Sequence, residues 1–318
     1  MNSIESYIQI LKQRGKTDST LELASEVLGH YHEFVRDQAM SLESVRSYCA
    51  RHIAGKPDAA DRIVVLFWYA DHIKSKESGT YLVTLLGTLG VIESQRRRLI
   101  RLYGEEASVQ VFSELTMPQL GSDLDAYPQA VTNYLQRMAE VLEPGSCQKV
   151  LAGNHHEVNP EAFREDKELW QQSGDLDEFL KQKHQRLVAR LQEHADTGKL
   201  WFEQYITQEV VDYVKEHQEI QTGIRQGDRI IVSKIPYNPD AWLKESDPLL
   251  KRFHACHCPF TRFSILTETP VPDLWCYCSG GFTKLFFDYL YERDLEVELI
   301  ESVLSGGESC RFAIKLPD

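Results

Sequence analysis

Long hydrophobic runs are missing from this sequence of 318 residues. The longest one, residues 63–70, ends at Asp71 and is far shorter than the roughly 20 apolar residues that a membrane-spanning helix needs. The N-terminal segment also lacks the apolar core and the small-residue cleavage site of a secretory signal peptide. We therefore expect a cytoplasmic protein without a membrane partner.

Positive charge is scarce as well. The 35 Lys and Arg residues are outnumbered by 48 Asp and Glu residues, which gives a formal net charge of -13. Because attraction to phosphates dominates general nucleic-acid binding, we expect no nucleic-acid partner. One basic cluster, residues 96–98 with Arg101, is interpreted as a solvated helix face beside the acidic residues 105 and 106, although such a patch can also bind an acidic partner.

Three common catalytic motifs do not occur. The sequence contains neither a Walker loop nor the glycine pattern of dinucleotide-binding domains, and it has no Gly-x-Ser-x-Gly nucleophile elbow. A nucleotide-dependent enzyme and an ordinary serine hydrolase are therefore not expected.

The first half of the chain has helical periodicity. Apolar residues recur at positions 4, 7, 8 and 11, Thr17 or Ser19 can cap the next helix, and a third helix is predicted to begin at Ser41. This succession of short helices resembles the arm-binding module of tyrosine recombinases, but the His-x-x-Arg element of those enzymes is absent. We predict a helical accessory domain over residues 1–78 and a second helical region over residues 79–200.

After residue 200 the period becomes that of strands. Residues 228–235 form a predicted strand, and residues 295–299 and 310–316 alternate on either side of a glycine turn, which predicts an antiparallel hairpin. A helix is predicted over residues 282–293, between the first strand and the hairpin. The fold class is therefore α+β, with an all-helical N-terminal half and a C-terminal α/β ligand-binding domain over residues 201–318.

Five of the seven cysteines lie after residue 255. In a reducing cytoplasm, clustered cysteines indicate metal or thiol chemistry more often than disulfides. Two pairs, each with one residue between the cysteines, would project their side chains to one face in extended backbone. Four such thiolates predict a tetrahedral zinc site, for which Cys310 and His254 are substitute ligands. The metal candidates are Cys256, Cys258, Cys276, Cys278, Cys310 and His254.

Two other interpretations of the cysteines stay open. Cys278 lies just before a predicted helix, whose N-terminus would lower its pKa and make it a candidate nucleophile. Alternatively, the thiols are small buried apolar groups that line a pocket.

The run from Cys276 to Leu316 resembles the small-molecule-binding domain of the four-vinyl-reductase type and the related L-2-amino-thiazoline-4-carboxylic acid hydrolase family. The resemblance implies an α/β fold with a pocket for a small hydrophobic or heterocyclic ligand, cysteines as metal ligands and, among the hydrolases, opening of a sulfur-containing ring. Gly307-Glu308 replaces the usual Gly-Asp step. The shared ending is carried by Glu301, Ser302, Gly306, Cys310, Arg311 and Phe312.

Several polar and aromatic residues are further candidates. Glu203 stands among large aromatics, where burial would raise its pKa and suit it to acid–base catalysis. Lys234 and Arg262 are candidate cations for a substrate carboxylate, because ligands favour strand ends in α/β domains. Tyr237 and Trp275 are the candidate aromatic residues of the same ligand site. The adjacent His155 and His156 are interpreted as parts of a solvated or capping loop.

The leading hypothesis is a metal-supported protein that binds a small molecule, with hydrolysis of a C–N or C–S bond in a small heterocyclic substrate as its candidate reaction. The alternative is a non-catalytic ligand or metal sensor that signals through the helical half. A second copy of the chain, in a homodimer, is a further candidate partner.

Overall fold

The computed structural model describes residues 3–36, 38–202, 204–267 and 269–317. Within these ranges no helix is both long and apolar enough to cross a membrane. The chain forms two compact units. One unit consists of the residues up to Leu89 together with residues 117–126, and the other of residues 90–116 together with the chain from Tyr127 onward.

The first unit is a helical bundle. Its helices are α1 (Ser3–Gln13), α2 (Asp18–Val35), α3 (Leu42–Tyr48), α4 (Ala59–His72) and α5 (Lys76–Leu86). Of the two predicted caps, Thr17 is the one used, since its hydroxyl accepts from the N–H of Thr20 at the start of α2. Ser41 forms a capping box with Ser44 at α3. The buried faces of these helices, which include Tyr7, Leu28 and Leu66, meet in one apolar core.

The second unit combines ten helices, among the described residues, with a small sheet. The helices are α6 (Val91–Phe112), α7 (Tyr127–Val141), α8 (Ser146–Leu151), α9 (Arg164–Ser173), α10 (Leu176–Thr197), α11 (Gln208–Glu216), α12 (Pro239–Lys244), α13 (Pro248–Ala255), α14 (Arg262–Thr267) and α15 (Tyr277–Tyr291). Helix α6 is kinked at Gly104, whose φ of 89° and ψ of 168° interrupt the helical backbone.

Four antiparallel strands form the sheet in the order β1-β2-β4-β3. The strands are β1 (Ile224–Gln226), β2 (Arg229–Ser233), β3 (Val297–Glu301) and β4 (Arg311–Lys315). The predicted hairpin is confirmed, since Val297 pairs with Ile314 across β3 and β4. Together with the helical N-terminal half, the sheet confirms the α+β fold class.

Helix α15 begins five residues earlier than the sequence predicts, at Tyr277 instead of Phe282. Gly280 and Gly281 therefore lie inside the helix and do not form a sharp turn before it. A Cβ atom on Gly281 would lie 2.5 Å from the backbone N and O of Gly153, and one on Gly280 would lie 3.2 Å from the Phe312 ring. The two glycines let α15 pack closely on residue 153 and on β4.

Candidate cysteine site

Three chain segments of the second unit carry the five C-terminal cysteines. Cys256 and Cys258 follow α13 in the loop before α14, and Cys310 immediately precedes β4. Cys276 ends a 3-10 turn that leads into α15, and Cys278 lies in the first turn of that helix. Cys256, Cys258 and Cys310 share an apolar cluster with Trp242 and Val303. We call these five cysteines, with Lys234 and His257, the cysteine site.

Cys258 lies within electrostatic reach of the other four thiols, because a negative charge on its sulfur would raise the pKa of each of them. The indole N–H of Trp275 donates to the Cys258 sulfur over 3.1 Å. Trp275 itself is only 1% exposed, so this bond holds the sulfur in place from the protein interior. Cys258 is partly exposed, whereas Cys256 is buried.

Cys276 and Cys278 point in different directions, contrary to the prediction from an extended backbone. Their segment is helical, and two residues in a helix turn a side chain by about 200°. The Cys276 sulfur lies 3.1 Å from the Ser302 hydroxyl, on the side of Cys256 and Cys310. Cys278 instead lies near Gln95 and Tyr134.

Burial keeps four of the thiols protonated. It raises the pKa of Cys256, Cys276 and Cys310 above the ordinary value, and that of Cys278 to about 12. For Cys278 the pKa is raised, although a position at a helix N-terminus is expected to lower it. The loss of hydration on burial disfavours the thiolate more than the positive end of the helix dipole favours it. At neutral pH these four groups are neutral thiols.

Lys234 lies beside the thiols at the end of β2. Its backbone N–H donates to the carbonyl of Cys310 over 3.0 Å, and its ammonium group donates to the Ser279 hydroxyl, also over 3.0 Å. The ammonium nitrogen is 5.5 Å from the centroid of the Phe282 ring. The positive charge of Lys234 partly offsets the effect of burial on the thiols of Cys278 and Cys310.

Two imidazoles are also within reach of the Lys234 charge. Burial, with Lys234 as the next cause, lowers the pKa of His257 to about 3 and also lowers the pKa of His156. Nε2 of His257 lies 2.6 Å from the carbonyl oxygen of Ile235. Since a carbonyl only accepts, Nε2 carries the proton and Nδ1 carries the lone pair. His257 is thus a neutral hydrogen-bond acceptor at physiological pH.

The other predicted ligand residues lie at one side of this site. The Arg262 guanidinium stacks between the rings of Tyr237 and Phe253, at 4.2 and 4.1 Å from their centroids. The Tyr237 ring also meets His257 edge to face at 5.5 Å. His254 faces a carboxylate, with Nε2 3.9 Å from Oε2 of Glu245, and burial lowers its pKa. Glu203, the predicted acid–base residue, lies outside the described residues.

No group of three or more His, Cys, Asp or Glu side chains that could hold a metal ion occurs in residues 3–36, 38–202, 204–267 and 269–317. The helical backbone at Cys276 and Cys278 accounts for part of this arrangement, since it separates two of the expected ligands. The zinc site and its candidate cysteine and histidine ligands therefore stay a prediction.

The structure adds residues to the site that sequence reasoning missed. Gln95 of α6 and Tyr134 of α7 are fully buried beside Cys278, and neither the Gln95 amide atoms nor the Tyr134 hydroxyl has a hydrogen-bond partner of ordinary geometry among the described residues. They lie far from the cysteines in the chain, and no local motif marks them. His257 and Ser279, by contrast, stand inside the two cysteine motifs and could have been considered there.

The family comparison covers the same part of the chain. Residues 232–318 match the family of unknown function DUF6144. No curated protein and no solved structure matches this chain. The family match thus extends over Lys234, His257 and all five cysteines of the site, and it assigns them no activity.

Proposed function

We propose that this chain binds a small ligand with a carboxylate group at the cysteine site, and that Lys234 is the cation that holds the carboxylate. One observation carries the proposal. The Lys234 ammonium group, partly buried at the end of β2, donates to a neutral hydroxyl, and no carboxylate of the described residues lies within 4.0 Å of it.

The surroundings of Lys234 support an anionic ligand. The thiols of Cys278 and Cys310 are protonated, and the imidazoles of His156 and His257 are uncharged, because burial shifts their pKa values away from the charged forms. The lysine charge therefore stands beside four neutral groups, with the Arg262 cation within electrostatic reach of His257 and the Glu301 carboxylate within reach of Cys310. A carboxylate bound there would form a charge-assisted hydrogen bond in surroundings of low dielectric, where such bonds are strong.

Further contacts support a ligand with both polar and apolar parts. Nδ1 of His257 offers a lone pair to a ligand donor. Phe282, which is 45% exposed, lies against Lys234 and provides apolar surface next to the cation. A small ring with a carboxylate and an N–H group combines the features that these residues recognise.

Calorimetric titration tests the proposal, with L-2-amino-thiazoline-4-carboxylate, a ligand that the sequence resemblance supports, and with 2-aminothiazoline, which lacks the carboxylate. We expect binding of the acid only. Lys234→Met should weaken it at least tenfold, or about 1.4 kcal/mol, whereas Lys181→Met, which removes an exposed lysine of α10, should leave it unchanged. Equal affinities of wild type and Lys234→Met, or no binding of the acid, would contradict the proposal.

Hydrolysis is the second part of the proposal and is tested separately. Cleavage of the C–S bond of the same ligand by water releases a new thiol, which a thiol reagent counts in the protein-free filtrate. Thiol release that depends on enzyme concentration supports a hydrolase. Because cleavage of a C–N bond releases ammonia or a primary amine and no thiol, only binding without release of any of these products supports the non-catalytic ligand sensor.

Zinc is tested by elemental analysis of protein purified without an affinity metal column. About one zinc per chain, lost in a Cys256→Ser, Cys276→Ser double variant, would support the metal site. Metal-free wild-type protein with unchanged thermal stability would contradict it.

A further inference from the structure

A groove of the second unit is lined by none of the residues of the cysteine site. Its volume is about 1000 Å³, which is within the size range of small-molecule sites. The walls are α6 before its kink, the loop that follows α8, and the second half of α15 with the residues after it. We call it the arginine groove, after four lining residues: Arg97, Arg98, Arg101 and Arg293.

The acidic residues of the groove are neutralised within it. Glu157 pairs with Arg97, Glu292 pairs with Lys167, and Asp288 pairs with Lys284. Asp294 binds both Lys284, at 2.5 Å, and Arg98, at 2.7 Å. Lys284, only 1% exposed, lies at the base of this network. The acidic side chains therefore leave no unpaired negative charge to repel an anion.

Two arginines remain after this pairing. Arg101 and Arg293 are exposed, and neither forms an ion pair with a carboxylate of the described residues. Both line the groove, and Arg98, one turn before Arg101 on α6, binds Asp294, the neighbour of Arg293. The groove thus carries a surplus of two positive charges on a chain whose net charge is -13.

Guanidinium groups with this surplus suit a phosphate monoester. Arginine donates two parallel hydrogen bonds to phosphate oxygens, and two arginines match the nearly double negative charge of a phosphate monoester at neutral pH. The groove also offers apolar and aromatic surface for the body of such a ligand, from Leu102, which is 42% exposed, and from Leu285 and Tyr289.

From this arrangement we propose that the arginine groove is a binding site for an organic phosphate with a flat or apolar body, anchored by Arg101 and Arg293. The groove shares no lining residue with the cysteine site, and this proposal does not rest on the carboxylate ligand proposed there. The basic cluster of the sequence is thereby divided between two roles, since Arg97 and Arg98 neutralise acidic residues while Arg101 faces the ligand.

Calorimetry with the full chain tests this site, with ADP, inorganic pyrophosphate and adenosine as probes. We expect ADP to bind more tightly than pyrophosphate and adenosine not to bind. The Arg101→Gln, Arg293→Gln double variant should weaken ADP binding at least tenfold. The matched control is Arg51→Gln, Arg190→Gln, which removes the same charge from two exposed arginines outside the groove and should leave ADP affinity unchanged.

Three results would overturn the proposal: no binding of ADP or pyrophosphate, equal weakening by both double variants, or binding of a polyglutamate peptide in place of ADP. Because the two altered arginines are exposed, thermal unfolding of both double variants should match that of the wild type. If the Arg101→Gln, Arg293→Gln variant unfolds at a lower temperature than the wild type, the Arg101→Lys, Arg293→Lys double variant is used in its place. That variant keeps the charge, loses the paired donors of each guanidinium and should weaken ADP binding by a smaller factor.

Discussion

The ammonium group of Lys284 lies 2.5 Å from the carboxylate of Asp294, and only 1% of the lysine is exposed to solvent. The same ammonium also binds Asp288, one turn later on α15. A single buried cation thus joins the helix to the segment that follows it, and both acidic residues depend on it for their charge balance.

Lys284→Met should destabilise the second unit. Loss of the cation leaves Asp288, which is largely buried, without its partner, and breaking a buried ion pair in this way costs about 3 kcal/mol. Lys167→Met is the matched control, because its partner Glu292 is 77% exposed and such surface pairs contribute about 0–1 kcal/mol. Urea unfolding measures both, and equal losses of stability would contradict the assignment of Lys284 as a buried structural cation.

Gly281→Ala should also destabilise the protein although alanine is the better helix former. The added Cβ would overlap the backbone of Gly153, so α15 must move, at a cost of about 2 kcal/mol. Gly29→Ala in α2 meets nothing within 4 Å and should stabilise its helix by about 1 kcal/mol. In denaturant unfolding, we expect the free energy of unfolding to fall for Gly281→Ala and to rise for Gly29→Ala. A stabilising Gly281→Ala would show that the close approach is not required.

His155 should make stability depend on pH in the weakly acidic range. Burial lowers its pKa from 6.5 to about 4, and its two ring nitrogens lie 3.2 Å from the Ser94 hydroxyl and 2.9 Å from the carbonyl oxygen of Val150. The unfolded chain therefore binds the proton more readily, so this contribution is complete above pH 6.5 and is lost as the pH falls to 4. The loss amounts to about 3 kcal/mol.

Unfolding curves of wild type and His155→Gln between pH 7.5 and 4 isolate that contribution from those of the carboxylates. The difference in free energy of unfolding between wild type and His155→Gln should decrease as the pH falls. A difference that does not vary with pH would contradict the buried neutral imidazole. His257→Gln, at another histidine whose pKa is lowered by burial, provides the comparison for a site that is partly open to solvent.

The thiols should divide into two classes of reactivity. Cys258 and Cys310 are partly exposed, whereas the other five cysteines are buried, and reaction with a disulfide reagent needs access to the sulfur. In chelator-treated native protein we expect two thiols, those of Cys258 and Cys310, to react with Ellman's reagent before the rest. Cys258→Ser and Cys310→Ser should each remove one of them, and rapid reaction of all seven would contradict the burial.

Local patterns predicted the strands better than the site. The alternation over residues 310–316 placed β4 within one residue at each end, whereas β1, with three residues, is too short to show a period. The Cys-x-Cys spacing could not decide between an extended and a helical backbone. The glycines after Cys278 predicted a turn before the helix, but in the structure they lie inside α15, where they allow close packing. Gln95 and Tyr134 could not be predicted, because only the packing of α6 and α7 brings them to Cys278.

Helix α15 contributes to both proposed binding sites. Ser279 and Phe282 face Lys234, and Lys284, Asp288 and Tyr289 line the arginine groove. With a rise of 1.5 Å per residue, Ser279 and Tyr289 are about 15 Å apart along the helix axis. A rigid helix cannot shift at one end and stay fixed at the other. A ligand that displaces α15 at the arginines would therefore change the position of Ser279 beside the lysine, and the two occupancies would be thermodynamically linked.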